Sequence, residues 1–260
     1  MTEHIINGTI EIGGQNIHLE RHNTFQGRPT IVFLHDSLGC VTLWRDLPQK
    51  LGESTLCNVL VYDRLGYGKS DPMPTWDRPV NYLEQEAYFL NQLLVKLDVN
   101  EVILFGHSDG GSISLIAAAK YPERIKALIC EAAHIFVEEV TLKGIKKAIE
   151  DYRTTNLAER LAKYHGDKVD NVFKAWANTW TRADYKEWNI EYLLKDITCP
   201  LLFIQGEDDE YGTIRQINGT LDQVRGKTEK QIMPGIGHTP HKEAQQETFN
   251  AARNFIKKLK

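Results

Sequence analysis

Short runs of apolar residues without polar alternation recur along the chain. They lie at Ile31–Leu34, Val59–Tyr62, Val102–Phe105, Ala127–Ile129 and Leu201–Ile204. A strand that is apolar at every position suits burial on both faces, as in a parallel sheet covered by helices on both sides. The runs therefore predict the strands of a largely parallel sheet.

Helical periodicity separates several of these runs. One apolar stripe recurs every three or four residues, at Leu83, Ala87, Leu90, Leu94 and Leu97. Such a stripe is typical of a helix that packs one face on a core. Ser112–Lys120 predicts a second helix, which ends before Pro122, and Glu243–Lys260 predicts the last. Strands that alternate with helices indicate an α/β fold with right-handed crossovers.

Two stretches depart from this alternation. Ile5–Ile12 and Asn16–Arg21 flank Gly13-Gly14 and predict an antiparallel hairpin. Residues 134–194 contain helical patterns and three tryptophans but no convincing strand. Because structureless loops of that length are rare in compact domains, we expect an inserted helical cap there. The predicted organisation is a core formed by residues 1–133 and 195–260, with the cap at 134–194.

Composition narrows the class of protein. The net charge of −4 over 260 residues gives no reason to expect a nucleic acid or an anionic membrane as partner. No apolar stretch approaches the roughly 18 residues that a membrane span needs, and Met1–His4 does not resemble the start of a signal peptide. We expect a cytoplasmic protein, and the oligomeric state is not readable. The four cysteines are widely spaced without a CxxC pair, which favours reduced structural residues.

The most informative motif is Gly106-His-Ser108-Asp-Gly110. A GxSxG pattern is short enough to arise by chance, but here an apolar run leads into it and a small-residue helix follows. That context is the one a nucleophile elbow needs, since a sharp turn there presents the serine hydroxyl. A phosphate-binding turn is the alternative; it is disfavoured because GxGxxG is absent and no lysine follows the glycines.

A serine hydroxyl becomes a good nucleophile when a neighbouring base takes its proton. His238 is the best candidate base, because it lies in a glycine-rich loop between a short apolar run and the last helix. The acid that orients it should follow the run at Leu201–Ile204, where four carboxylates occupy positions 207–210. Ser, acid and His then occur in the chain order known for this arrangement. His241 follows His238 by three residues, a spacing that can hint at a metal, but no third ligand is indicated and we predict none.

Taken together, these motifs resemble the α/β-hydrolase superfamily over nearly the whole chain outside the predicted cap. The turn Asp63–Asp71 (DRLGYGKSD) looks like the family's glycine-rich turn after its fourth strand. The resemblance implies a mostly parallel eight-stranded sheet with helices on both faces, an N-terminal antiparallel hairpin and an inserted helical cap. It also implies Asp209 as the acid, with Asp208 second, because the family's acid usually lies three residues after a glycine that ends the seventh strand.

The resemblance further assigns residues around the nucleophile. Ser37 and Asp109 would supply the backbone N–H groups of the oxyanion hole. The family usually has His-Gly in the loop that donates the first of these, whereas this chain has His35-Asp36, and we expect the Asp36 carboxylate to point away from the oxyanion. His134 lies where the family's pockets often open and is as compatible with a structural role as with substrate contact. Trp180 is the tryptophan that we assign to a pocket wall, although most cap tryptophans serve packing.

These features predict a serine hydrolase without cofactor or metal. Its substrate is expected to be a small carboxylic ester or a related acyl compound, cleaved through an acyl-enzyme. Two alternatives stay open: hydrolysis of a thioester or a carbon–carbon bond by the same triad, and a slow or non-catalytic small-molecule receptor of the same fold.

Overall fold

A computed structural model describes residues 4–259, so Met1–Glu3 of the predicted core and Lys260 of the predicted last helix lie outside the described residues. Eight strands form one sheet in the order β1-β2-β4-β3-β5-β6-β7-β8. Their bounds are β1 His4–Ile12, β2 Gln15–Asn23, β3 Thr30–Leu34, β4 Asn58–Tyr62, β5 Val102–His107, β6 Ile125–Glu131, β7 Leu201–Gly206 and β8 Thr228–Met233.

The strand directions confirm the predicted fold class. β1 pairs antiparallel with β2, and β2 pairs antiparallel with β4. All other neighbouring strands are parallel. The apolar runs did not reveal β8, because this edge strand has the polar sequence TEKQIM and exposes part of its surface.

The continuous apolar runs follow from burial on both faces of the sheet. Along β3, Val32 and Leu34 belong to one core cluster, whereas Ile31 and Phe33 belong to the other. Successive side chains of a strand point to opposite faces, so each face must be covered for every position to be apolar. The sheet therefore separates two hydrophobic layers.

Ten α-helices occur among the described residues. They are α1 Leu47–Thr55, α2 Tyr82–Lys96, α3 Asp109–Lys120, α4 Glu139–Thr154, α5 Leu157–His165, α6 Val169–Thr181, α7 Glu191–Leu194, α8 Ile214–Gln223, α9 Pro240–Glu243 and α10 Gln245–Lys258. α1 and α10 cover one face, while α2, α3 and α8 contribute to the other. The expected single last helix is divided, because Ala244 has non-helical backbone angles between α9 and α10.

Residues 134–194, which we call the cap segment, contain α4–α7 and short 3-10 turns. Two residues of this segment, Phe136 and Asn189, form one isolated antiparallel β-bridge. None of the helices in residues 4–259 is long and apolar enough to cross a membrane. All four cysteines are free, and burial raises the pKa of the Cys40 and Cys199 thiols to about 11, so both stay protonated near neutral pH.

The core makes a testable stability prediction. Phe105 is fully buried on β5, stacked 5.1 Å from Phe33 and packed against Trp44. We expect Phe105→Ala to lower the free energy of unfolding by about 3–5 kcal/mol, because it removes apolar contacts and leaves a cavity. Urea denaturation measures the change. Tyr88→Ala is the control, since Tyr88 is 55% exposed and its loss should cost less than about 0.5 kcal/mol. Equal losses in the two variants would contradict the packing described here.

Candidate active site

Ser108 lies in a strained turn between β5 and α3. Its backbone angles are φ 55° and ψ −120°, a combination that non-glycine residues rarely adopt. The turn is compact because α3 begins against β3: a Cβ at Gly110 would overlap the Leu34 carbonyl. Ser108 N–H donates to the Glu131 carbonyl at 2.8 Å, which ties the turn to the end of β6. This geometry is that of a nucleophile elbow.

The structure places His238 and Asp209 in line with Ser108. His238 Nε2 lies 3.0 Å from Ser108 Oγ, and His238 Nδ1 lies 2.9 Å from Asp209 Oδ1. Asp209 is held in turn by the N–H groups of Tyr211 and Gly212, which donate to the same carboxylate oxygen at 2.8 and 3.1 Å. The second candidate acid, Asp208, is exposed.

The charges of His238 and Asp209 shift each other's pKa. Burial alone would lower the pKa of His238, but the charge and hydrogen bond of Asp209 outweigh burial and raise it. Burial alone would raise the pKa of Asp209, and His238 reverses that shift in the same way. Asp209 is therefore ionised near neutral pH, and it stabilises the imidazolium that forms when His238 accepts a proton.

Ser37 lies in the loop after β3, residues 35–40, which we call the Ser37 loop. The side chains around this loop fix its backbone. The Asp36 carbonyl accepts hydrogen bonds from His35 Nδ1–H at 2.7 Å, from Arg64 Nη2–H at 3.0 Å and from the Gly39 N–H at 3.2 Å. Across a trans peptide the N–H points opposite to the carbonyl, so the Ser37 N–H is turned away from these donors. Among the described residues, neither this N–H nor that of Asp109 has a protein acceptor.

The Asp36 carboxylate folds back over its own loop. Its Oδ2 accepts the Leu38 N–H at 3.3 Å, and its Oδ1 occupies the space that a side chain at residue 39 would need, which accounts for Gly39. Burial alone would raise the pKa of Asp36, but the nearby His107 ring, Lys242 and His35 hold it well below its ordinary value. Asp36 therefore carries a negative charge at the cavity wall.

Arg64 is a residue whose role the sequence did not reveal. It is fully buried, and its Nη2 lies 3.6 Å from Asp109 Oδ2 as well as donating to the Asp36 carbonyl. One guanidinium thus contacts both residues that flank the candidate oxyanion site. Its position in the Asp63–Asp71 turn was the one feature of the sequence that could have indicated a role near the site. Nothing in the apolar and polar pattern indicated that its side chain is buried.

The two binding candidates from the sequence, His134 and Trp180, line a cavity of about 340 Å³ beside Ser108. His134 Nε2–H donates to the Tyr211 carbonyl at 3.1 Å, and burial followed by the charge of His238 lowers the pKa of His134. Trp180 Nε1–H donates to the Tyr82 hydroxyl, which donates to Asp109. The other side chains of the wall come mainly from the cap segment and the loops at the end of the sheet, including Ser37, Leu38, Thr141, Ile145, Ala148, Leu157, Trp176 and Tyr211.

A buried cluster of His107, Glu131 and His241 lies beneath the site, with candidate ligand atoms within 4.8 Å of one another. Among residues 4–259, this is the cluster whose spacing could hold a metal ion, and it does not include His238. Its carboxylate is already engaged: Glu131 accepts the backbone N–H of His241 at 2.6 Å and the ring Nδ1–H at 3.0 Å. His107 Nε2–H donates to the His238 carbonyl at 2.8 Å. In this arrangement the cluster connects the nucleophile strand to the loop that carries His238.

Comparison with known proteins identifies the family. A sequence profile described as alpha/beta hydrolase fold matches residues 29–172, more than half of the chain. The chain belongs to the α/β hydrolase fold family. Its relatives include proteins named as hydrolases, which supports a hydrolase-type enzyme.

Individual relatives of this α/β hydrolase are distant but cover it almost completely. Serine hydrolase BPHL of Mus musculus is 28% identical over 258 residues, covering 97% of this chain and 87% of the relative. The 2-hydroxy-6-oxononadienedioate/2-hydroxy-6-oxononatrienedioate hydrolase of Escherichia coli K12 is 23% identical over 256 residues, covering 88% and 87%. Among solved structures, the 2-hydroxy-6-oxo-6-phenylhexa-2,4-dienoate hydrolase of Rhodococcus sp. strain RHA1 superposes with a TM-score of 0.81 at 15% identity, covering 98% and 99%.

The raised pKa of His238 predicts the pH dependence of any reaction in which it acts as a base. A base must be neutral, and His238 is protonated below its pKa, so activity should fall as pH drops through a midpoint above the ordinary histidine value of 6.5. Asp209→Asn removes the charge that raises this pKa. We expect it to move the midpoint down and to lower kcat by roughly 10³–10⁴-fold.

The measurements are kcat and kcat/KM for a p-nitrophenyl ester between pH 5 and 9. Asp208→Asn is the matched control, because it removes the adjacent exposed carboxylate and should leave the profile close to that of the wild type. An Asp209→Asn profile with an unchanged midpoint would contradict the electrostatic coupling.

Proposed function

We propose that this chain is a serine hydrolase that cleaves small carboxylic esters or related acyl compounds through an acyl-enzyme. The observation that carries the proposal is the hydrogen-bonded row Asp209–His238–Ser108, with donor–acceptor distances of 2.9 and 3.0 Å, at the wall of a cavity. Such a row is the arrangement that turns a serine hydroxyl into a nucleophile. The similarity to a relative named a serine hydrolase supports the same conclusion.

In the first half of the proposed reaction, Ser108 Oγ attacks the substrate carbonyl carbon while His238 Nε2 takes the hydroxyl proton. Asp209 holds the ring with Nδ1–H directed at its carboxylate. The carbonyl oxygen becomes an oxyanion, which the N–H groups of Ser37 and Asp109 would stabilise; one such donor is often worth several kcal/mol. The tetrahedral intermediate then collapses as His238 gives its proton to the departing alcohol.

In the second half, His238 takes a proton from water, and the resulting hydroxide attacks the acyl carbon. The same two N–H groups would hold the second oxyanion. Collapse returns the proton from His238 to Ser108 Oγ and releases the carboxylic acid. The Asp36 carboxylate is directed onto the Leu38 N–H, which limits its repulsion of the oxyanion.

The cavity favours a small substrate with an apolar part. Its volume of about 340 Å³ lies near the lower end of small-molecule sites. Ile145, Ala148 and Leu157 of the cap segment form an aliphatic wall, and Trp176 and Trp180 add an aromatic one. A short acyl chain or a small ring fits this lining.

Replacing the nucleophile tests the proposal. We expect Ser108→Ala to lower hydrolysis of p-nitrophenyl acetate and butyrate by roughly 10³-fold or more, and to abolish labelling by a fluorophosphonate, because the attacking oxygen is gone. Ser54→Ala, on α1 and outside the cavity lining, is the matched control and should keep both activities. Undiminished turnover in Ser108→Ala would overturn the assignment.

A substrate panel separates the remaining alternatives. Faster turnover of thioesters or of vinylogous diketones than of esters would move the assignment to thioester or carbon–carbon bond hydrolysis by the same residues. Fluorophosphonate labelling of Ser108 without turnover of any member of the panel would identify a receptor of the same fold.

A further inference from the structure

His165, at the end of α5, is a residue of the cap segment that contacts two loops of the core. Its Nε2–H donates to the Leu38 carbonyl at 3.0 Å, and its Nδ1 accepts the Gly68 N–H at 3.1 Å. The ring is 1% exposed and packs near Tyr67, with ring centroids 6.0 Å apart. One cap side chain thus joins the Ser37 loop to the Asp63–Asp71 turn.

These two partners determine the state of the ring. A carbonyl can only accept, so Nε2 must carry the proton, and a backbone N–H can only donate, so Nδ1 must be unprotonated. Burial, the largest influence, lowers the pKa of His165 and favours this neutral form. The ring orientation is therefore defined by both bonds.

The bond to Leu38 holds the side of the Ser37 loop that the core leaves less constrained. On the Asp36 side, His35 and Arg64 both donate to the backbone. On the Leu38 side, two weaker bonds lie within the loop: the Leu38 N–H donates to Asp36 Oδ2 at 3.3 Å and the Gly39 N–H to the Asp36 carbonyl at 3.2 Å. The Leu38 carbonyl itself is held from outside the loop by His165. Among the described residues, His165 is the side chain that supplies a donor to that carbonyl.

We propose that His165 is a positioning residue: by holding the Leu38 carbonyl, this cap side chain keeps the Ser37 N–H directed at the oxyanion. The inference rests on the proposed function, because it assumes that the Ser37 N–H stabilises a tetrahedral intermediate. It gives the cap segment a part in catalysis beyond forming the cavity wall. Displacement of a catalytic donor by about 1 Å can cost up to 10²-fold in rate.

A nearby lysine supplies the matched control. Lys168 Nζ donates to the carbonyls of Tyr67 at 3.3 Å, of Gly68 at 2.8 Å and of Ser70. It fastens the same corner of the cap segment to the Asp63–Asp71 turn but makes no bond to the Ser37 loop. Lys168→Met therefore loosens the cap attachment without removing the Leu38 contact.

Two substitutions at residue 165 separate its two bonds. His165→Asn places an amide near the position of Nδ1, where its oxygen can accept from Gly68, but it does not reach Leu38. His165→Gln is longer, and its amide N–H can replace Nε2–H as the donor to Leu38. If the Leu38 bond matters, glutamine should rescue what asparagine loses.

The readout is the second-order rate of Ser108 labelling by a fluorophosphonate, whose phosphoryl oxygen needs the same donors as an oxyanion. It is combined with kcat and KM for p-nitrophenyl acetate, all per folded molecule as measured by circular dichroism. We expect His165→Asn to lower the labelling rate and kcat by about tenfold or more, with KM changed less than about threefold. His165→Gln and Lys168→Met should stay within about threefold of the wild type.

Wild-type labelling and kcat in His165→Asn would overturn the inference. Equal losses in all three variants would also overturn it, because they would indicate general loosening of the cap. If His165→Asn does not fold, His165→Ser, which likewise leaves Leu38 without a donor, takes its place under the same criteria. A wild-type chain that is labelled but hydrolyses no ester would overturn the proposed ester hydrolysis alone, since the labelling rates still test His165.

Discussion

The site depends on one backbone constraint: Ser108 is held at positive φ where β5 turns directly into α3. The strain, on the order of 1–3 kcal/mol, persists because the surrounding structure leaves no relaxed alternative. β5 is bonded on both sides, α3 begins against the Leu34 carbonyl, and the Ser108 N–H is bonded to β6. The buried sheet thus fixes the serine, and the loops at the same edge bring the other groups to it.

Electrostatics around the serine depend on that same burial. The His238 side chain is only 12% exposed, and Asp209 raises its pKa although burial opposes the shift. Beneath them, Glu131 and His107 bond to the segment that carries His238. Arg64 contacts Asp36 and Asp109. Buried polar side chains therefore hold both the base and the candidate oxyanion donors in place, and the 3.8 Å approach of His107 to Asp36 links the two groups.

Sequence reasoning reached the fold class, Ser108 and His238 because each had a local cause, whereas the choice of Asp209 among four carboxylates came from the resemblance to the family. The GxSxG turn needs glycines at specific positions, and an apolar strand before it can be read directly. The apolar runs did not predict the edge strand β8, because its solvated face makes its sequence polar. The break at Ala244 was missed because a single non-helical residue leaves no trace in apolar periodicity.

By itself, the sequence determined the alternation of buried strands and helices, the nucleophile turn, and the order of serine, acid and histidine. Tertiary structure alone decided that Arg64 lies buried in contact with Asp36 and Asp109, and that His165 reaches Leu38 across 127 residues. The reason is physical: periodicity reports on burial along one element. A hydrogen bond between distant loops depends on how several elements pack, and that packing leaves no repeating pattern in the chain.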